Sequence, residues 1–75
     1  MSVTLILSGH LRDHTGGKNE ITVEAGKTIR ETLIGMKIPP EIVALIAING
    51  VHTTDKDTIM NDGDVVKLLA VIGGG

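Results

Sequence analysis

Hydrophobic and polar residues alternate in two short segments near the start of the chain. Residues 2–9 alternate as a strand does when one face meets a core, with Val3, Leu5 and Leu7 on one side. Ile6 makes the other side partly apolar, which favours a place inside a sheet. The segment Glu20–Glu24 alternates cleanly and predicts a half-exposed second strand. The two strands are antiparallel if the polar loop between them, which contains a Gly-Gly pair, closes a hairpin.

The pattern then changes to helical spacing. Thr28 and Glu31 form a capping-box sequence, in which each side chain reaches a backbone amide at the start of a helix. Pro39 and Pro40 prevent the helix from continuing, so the helix is predicted over about residues 29–37. Three apolar residues form one stripe, which is interpreted as core rather than as a partner groove: Ile29, Leu33 and Met36.

The second half of the chain predicts three more strands. Val43–Ile48 is apolar on both sides, which is typical of a strand covered on two faces, and the turn dipeptide Asn49-Gly50 leads to a brief returning strand over residues 51–54. Residues 55–60 are interpreted as a surface connection, with one helical turn considered as a way to bring Ile59 or Met60 inward. A tight turn at Asp62-Gly63 precedes an apolar last strand over residues 65–72.

The order strand, strand, helix, strand, short strand, strand predicts an α+β fold. The simplest arrangement packs the helix on one face of a mixed sheet of four to five strands and places the last strand centrally, beside the first. Residues 1–72 then form a single domain, and residues 73–75 are a flexible glycine tail that projects from it.

Composition excludes several classes of function. The 75 residues contain no Cys and no aromatic residue, so disulfides, thiol nucleophiles and thiolate metal sites are excluded and the core is aliphatic. Seven basic and nine acidic residues are scattered along the chain without a basic cluster, so direct binding of nucleic acid is not expected. No apolar run has the length of a membrane span, and no charged leader precedes an apolar stretch. We expect a cytoplasmic protein without a cleaved signal.

The terminal carboxylate of Gly75 is the main candidate for chemistry. It is ionised near neutral pH and is a poor electrophile, so another protein must activate it. Gly16-Gly17-Lys18 lacks the glycine spacing and the following Ser or Thr of a phosphate-binding loop and is interpreted as an ordinary turn. Glycines without Cβ atoms can enter a narrow channel and leave the carbonyl open to attack. The alternative for Gly73, Gly74 and Gly75 is an inert tail.

Other polar residues make weaker candidates. His10 and His14 lack a third ligand pattern and are interpreted as solvated loop residues, with no metal site. Four acidic residues lack the spacing of a calcium loop and are interpreted as solvated turn residues: Asp55, Asp57, Asp62 and Asp64.

Several motifs in order resemble one family. Residues 11–17 (LRDHTGG) resemble the "LRE.TG" loop of small MoaD-type proteins, and residues 28–33 (TIRETL) resemble their first helix. Residues 48–50 (ING) resemble the turn after their third strand, and residues 62–66 (DGDVV) resemble the "DGDEV" start of their last strand. The Gly-Gly end completes the set, although residues 70–72 (AVI) replace the aromatic residues and proline often found there and Gly73 is an additional glycine.

This resemblance implies the β-grasp, ubiquitin-like fold of the MoaD and ThiS sulfur carriers and of the archaeal small modifiers. It implies a non-enzyme, monomeric when free, whose Gly75 is adenylated by an ATP-dependent adenylyltransferase resembling ubiquitin-activating enzymes. The carrier binds no cofactor itself, and its thiocarboxylate would serve a sulfur-accepting enzyme in molybdopterin, thiamine or tRNA thiolation, with the small subunit of a molybdopterin synthase as one role.

Two alternatives stay open at this point. In one, Gly75 is joined to lysines of target proteins, as in a ubiquitin-like modifier. In the other, the chain is a β-grasp binding module with an inert tail. Leu11 and Arg12 are candidate contacts with a partner enzyme because they lie in the "LRE"-like loop.

Overall fold

The computed structural model describes residues 1–9, 11–12 and 16–70. These residues form five strands, one α-helix and a short 3-10 helix at Pro40–Ile42. The strands and the α-helix have the following bounds: β1 Ser2–Leu7, β2 Glu20–Glu24, α1 Ile29–Gly35, β3 Val43–Ile48, β4 Val51–Thr53 and β5 Val65–Ala70. The predicted order of elements is confirmed.

The five strands form one mixed sheet in the order β2-β1-β5-β3-β4. Strand β5 is central, parallel to β1 and antiparallel to β3, and Leu68 lies opposite Leu7 on one side and Ile46 on the other. The outer pairs β1–β2 and β3–β4 are antiparallel hairpins. The predicted central position of the last strand, beside the first, is therefore correct.

The helix covers one face of this sheet. Among the described residues, the buried ones are apolar apart from Thr32, and they come from α1, from the strands and from three connecting positions. The core consists of Val3, Leu5, Leu7, Leu11, Ile29, Leu33, Ile38, Val43, Ile46, Met60, Val66 and Leu68. An aliphatic core of this size is the main source of stability for so short a chain.

The amino end of α1 is fixed by its own cap and by the connection between β4 and β5. The predicted capping box forms, with the Glu31 amide donating to Thr28 Oγ1 (3.0 Å) and the Thr28 amide donating to Glu31 Oε1 (2.9 Å). The Ile29 and Arg30 amides donate to the carbonyls of Thr58 (3.1 Å) and Lys56 (2.8 Å). The free amides of the first turn are thus satisfied by the protein itself.

Some predicted boundaries and environments are wrong. The helix ends at Gly35 because Lys37 turns into the left-handed region with φ 61 and starts the exit of the chain. Residues 55–60 contain a turn but not the helical turn that was considered. The inward position of one of the two apolar residues is confirmed, because Met60 is buried whereas Ile59 is 54% exposed. Among the described residues, only one face of β3 is fully buried, since Ile46 is buried whereas Leu45 and Ala47 on the other face are half-buried. Strand β1 ends at Leu7 and β4 at Thr53, and residues 71–72 of the predicted last strand lie outside the described residues.

Candidate functional site

The described part of β5 ends at Ala70, which pairs with Val43 at the start of β3. Because β5 lies between β1 and β3, the last five residues follow from the middle of the sheet rather than from an edge strand. The predicted site residues Gly73, Gly74 and Gly75 lie outside the described residues. Their role stays a prediction. The structure shows only that the strand before them, β5, is central in the sheet.

The segment after β1 lies beside the carboxyl end of β5. The Ser8 amide donates to the Leu68 carbonyl (3.2 Å), and the Leu11 amide donates to the Ser8 carbonyl (3.3 Å). The Leu11 side chain is completely buried in the core, so it offers no surface to a partner in this conformation. Leu11 thus has a packing role at the end of the core, and the predicted contact of Leu11 with a partner stays a prediction.

Arg12 lies next to Leu11 but is exposed. Its carbonyl accepts a hydrogen bond from the Gly17 amide (2.8 Å), which holds the backbone of the loop at this point. Gly16 and Gly17 have φ values of 68 and 90, as expected for the turn predicted there. Arg12 therefore remains a candidate contact on the surface near the carboxyl end of β5.

The face of the sheet opposite the helix is open and carries a mixed set of side chains. One row crosses all five strands: Glu20, Ile6, Lys67, Ala47 and His52. The cation of Lys67 is exposed at the central strand, with the half-buried aliphatic side chains of Ile6 and Ala47 on either side. Val65 and Leu69 extend the aliphatic area along β5, and Val65 is 41% exposed.

The alternation of exposed and buried residues in β5 is present in the sequence, but the nearly continuous apolar residues make it hard to recognise. Val65, Lys67 and Leu69 alternate with the buried Val66 and Leu68, so a period of two was present from the start. The run predicts a single apolar strand because four of these five positions are aliphatic. Lys67 was the residue that marked the solvent side.

The acidic residues of the turns have structural partners. Asp57 forms an ion pair with Arg30 (2.9 Å), and this hydrogen bond raises the pKa of the Arg30 guanidinium. Asp62 Oδ1 accepts from the Ser2 amide (2.8 Å). Asp64 accepts from the Asn61 amide (2.9 Å) and from Asn49 Nδ2 (2.9 Å), and these two bonds, the first more than the second, lower the pKa of its carboxyl group.

Neither a metal site nor a membrane span is found in the part of the chain that the structure describes. Across residues 1–9, 11–12 and 16–70, no group of three or more His, Cys, Asp or Glu side chains is arranged to hold a metal ion. His10 and His14 lie outside the described residues. No helix among the described residues is both long and apolar enough to span a bilayer.

Comparison with known proteins decides the family. The sequence model of the ThiS family matches residues 5–75, which includes the glycine end. The chain belongs to the ThiS family. The resemblance seen in the sequence is confirmed, and with it the β-grasp fold and the class of ubiquitin-like sulfur carriers, whose members act as small subunits or modifiers.

Solved structures share the fold over nearly the whole chain. A putative molybdopterin converting factor, subunit 1, from Pyrococcus furiosus has a TM-score of 0.71 and 21% identity, covering 96% of this chain and 99% of that one. Small archaeal modifier protein 1 (SAMP1) from Methanosarcina acetivorans has a TM-score of 0.69 and 22% identity, covering 99% and 96%. A chain of the Amycolatopsis orientalis BexX/CysO complex has a TM-score of 0.63 and 26% identity, covering 97% and 99%. No curated protein gives a match.

Proposed function

We propose that this ThiS family member carries sulfur as a thiocarboxylate on Gly75. The observation that carries the proposal is that the family match continues to residue 75, so the glycine end is part of the family pattern rather than an addition to it. The central position of β5 supports it, because a rigid strand inside the sheet leads the chain to its last residues. The folded domain presents the terminal residues to a partner enzyme, and the partner enzyme catalyses the reactions.

The proposed reaction needs three steps at the terminal carboxyl group. A carboxylate oxygen of Gly75 attacks the α-phosphorus of ATP, pyrophosphate leaves, and an acyl-adenylate forms. The terminal sulfur of a partner's persulfide then attacks the carbonyl carbon, and AMP leaves with the electron pair of the broken C–O bond. A thiol of the partner reduces the resulting acyl disulfide and releases the thiocarboxylate. The thiocarboxylate serves a sulfur-accepting biosynthetic enzyme.

The open face of the sheet is the surface that we assign to the activating enzyme. It lies on the strand that leads to Gly75, and it combines an exposed cation at Lys67 with aliphatic side chains at Ile6, Val65 and Leu69. Such a patch suits a partner surface that has an apolar centre and a carboxylate opposite Lys67. Arg12 lies at the same end as the carboxyl terminus of β5 and is a second candidate contact.

Intact-mass analysis tests the proposal directly. The protein is incubated with its host's adenylyltransferase, ATP and a persulfide donor, and the expected product has one terminal oxygen replaced by sulfur. Deletion of Gly74 and Gly75, or addition of one residue after Gly75, should abolish this change while the folding of the domain is retained. Full modification of either variant would contradict the role of the terminal carboxylate.

A charge reversal tests the proposed docking surface. Lys67→Glu should raise the KM for the carrier in ATP–pyrophosphate exchange by roughly tenfold, because the new carboxylate meets like charge on the partner. Lys37→Glu is the matched control, since Lys37 is exposed at the end of α1, away from the open face. Equal KM values for the two variants would exclude the open face as the docking surface.

A protein modifier is the second candidate, because one of the structural neighbours is named as a small archaeal modifier protein. The same acyl-adenylate would then pass to a lysine amine of a target protein, with AMP as the leaving group. The mass experiment separates the two functions when target proteins are included. Products of higher mass whose tryptic digest leaves residues 68–75 attached to a target lysine favour the modifier, because Lys67 is the last trypsin site of the chain. A thiocarboxylate alone favours the carrier.

A further inference from the structure

The turn between β3 and β4 is tied to the start of β5 by a clamp of hydrogen bonds centred on Asn49. The Asn49 Nδ2 group donates to Asp64 Oδ1 (2.9 Å), and Asn49 Oδ1 accepts from the Val65 amide (2.9 Å). The Asn49 amide donates to the Val65 carbonyl (2.8 Å). Both polar atoms of this carboxamide are therefore held, one by the first residue of β5 and the other by the residue that precedes β5.

The same residue is chemically labile. Asn49 is followed by Gly50, whereas the other two asparagines, Asn19 and Asn61, are followed by acidic residues. When the residue after Asn has no side chain, its deprotonated amide nitrogen can approach the carboxamide carbon with least steric hindrance. The Gly50 nitrogen then attacks Asn49 Cγ, ammonia leaves, and a five-membered succinimide forms. Water opens this ring to give aspartate or isoaspartate, so the step needs no other reactant.

We propose that Asn49 is a deamidation site whose rate is set by opening of the clamp to Asp64 and Val65. The attack needs a side chain that is free to turn Cγ toward the Gly50 nitrogen, and the two hydrogen bonds, to Asp64 and from the Val65 amide, hold the Asn49 side chain in one orientation. The closed clamp therefore blocks the reaction, and transient opening of the β3–β4 hairpin permits it. This inference does not depend on the proposed sulfur chemistry.

Deamidation would also change the clamp that restrains it. Conversion of the carboxamide to a carboxylate removes the Nδ2 donor and places an oxygen where Nδ2 now lies, 2.9 Å from Asp64 Oδ1. Two carboxylates at this distance repel each other unless they share a proton. The hydrogen bond from the Asn61 amide favours the charged form of Asp64 and lowers the pKa of its carboxyl group, which opposes sharing of a proton. The product is thus a hairpin that opens more readily than the original one.

Deamidation rates measured by peptide mapping test the clamp. The folded wild-type protein should deamidate Asn49 slowly, and the same chain unfolded in denaturant at the same pH should do so much faster. Asp64→Ala should accelerate the reaction of the folded protein by about tenfold, because it removes a charge-assisted hydrogen bond. Asn19 serves as the internal control and should react at a rate that the Asp64 substitution does not change, whereas Asn61 is not a control because its amide donates to Asp64.

A milder substitution guards against a variant that does not fold. Asp64→Asn keeps one acceptor oxygen of the original two, so its rate at Asn49 should lie between those of the wild-type and unfolded proteins. Equal rates in the folded and unfolded wild-type protein would overturn the proposal. A rate in Asp64→Asn equal to that of the folded wild type would overturn it as well.

A swap of the two side chains tests the consequence of the reaction. Asn49→Asp, which imitates the deamidated product, should increase the rate of hydrogen exchange at the backbone amides of residues 49 and 65 by about tenfold. Adding Asp64→Asn to it exchanges the carboxylate and the carboxamide and keeps every hydrogen bond of the clamp, since the carboxamide oxygen introduced at position 64 still accepts from the Asn61 amide. The double variant should return to wild-type exchange, and failure to do so would show that the charge pair is not the cause.

Discussion

The two faces of the sheet differ in how deeply their side chains are buried. On the covered face, Val66 and Leu68 of β5 are completely buried against the strands and α1. On the open face, the alternating residues of the same strand are Val65, Lys67 and Leu69, of which Val65 is 41% exposed. One strand thus belongs to a closed aliphatic core on one side and to a mixed surface on the other.

This difference separates the part of the sequence that makes the fold from the part that is available for recognition. The covered face tolerates little change in volume, because each side chain is enclosed by others. The open face loses little stability when a side chain is changed, so it can be adapted to a partner. The central strand connects the two, because it carries residues of both faces and leads to Gly75.

Leu68 and Leu69 give the sharpest test of the comparison, because they are neighbours of the same type on opposite faces. Leu68→Ala should lower the free energy of unfolding by about 2–5 kcal/mol, since it leaves a cavity between β1 and β3. Leu69→Ala, at a half-buried position on the open face, should cost about 1 kcal/mol or less. Urea denaturation measures both values. Equal losses for the two variants would contradict the assignment of the faces.

The capping box predicts the next largest effect, because the helix that closes the covered face depends on it. Thr28→Ala removes the acceptor for the Glu31 amide and should lower the free energy of unfolding by about 1 kcal/mol. Thr28→Ser keeps a hydroxyl oxygen and is the matched control. Denaturation that affects both variants to the same extent would show that the side-chain bond contributes little.

The outcome for α1 illustrates what sequence patterns determine well. Thr28, Glu31 and the apolar stripe are local features, and local features placed the start of the helix correctly. Its end was predicted too late because Lys37, a residue that rarely adopts positive φ, takes the position where glycine is usual. A propensity argument could not identify that conformation, since it is imposed by the core contacts of the following residue, Ile38.

The candidate site could be predicted to a different extent. The central position of the last strand was predicted correctly from the order of the elements, whereas the role of the glycine end stays a prediction. The open face was missed although one helix on one face of the sheet was predicted, because the nearly continuous apolar residues of β3 and β5 obscure the alternation of their two sides. The burial of Leu11 was missed for a similar reason: a single leucine in a polar loop gives no periodicity to show which way it points.

The end of the helix offers a stabilising substitution. The Lys37 amide donates to the Ile34 carbonyl (3.0 Å) and the Ile38 amide to the Leu33 carbonyl (2.9 Å), the arrangement that normally has glycine at the left-handed position. Lys37→Gly relieves the strain of positive φ, and the greater entropy of glycine in the unfolded chain offsets part of this gain. The substitution should therefore raise the free energy of unfolding by about 0.5–1 kcal/mol. Thermal denaturation measures the change. Lys37→Ala keeps the strain and should give no increase, so a similar gain in both would contradict this explanation.

The smallest expected effect is a dependence of stability on pH that comes from the cap of α1. The hydrogen bond from the Thr28 amide is the main reason that the pKa of Glu31 lies below its ordinary value in the folded protein. Because the pKa of Glu31 is lower in the folded protein than in the unfolded chain, where it is about 4, Glu31 contributes its full stabilisation above that unfolded value. This stabilisation is lost as the pH falls through the pKa of Glu31 in the folded protein. Glu31→Gln keeps an acceptor oxygen for the cap but does not titrate. Urea denaturation at several acidic pH values should therefore show a shallower loss of stability for Glu31→Gln than for the wild type, and parallel curves would remove Glu31 as a source of the acid dependence.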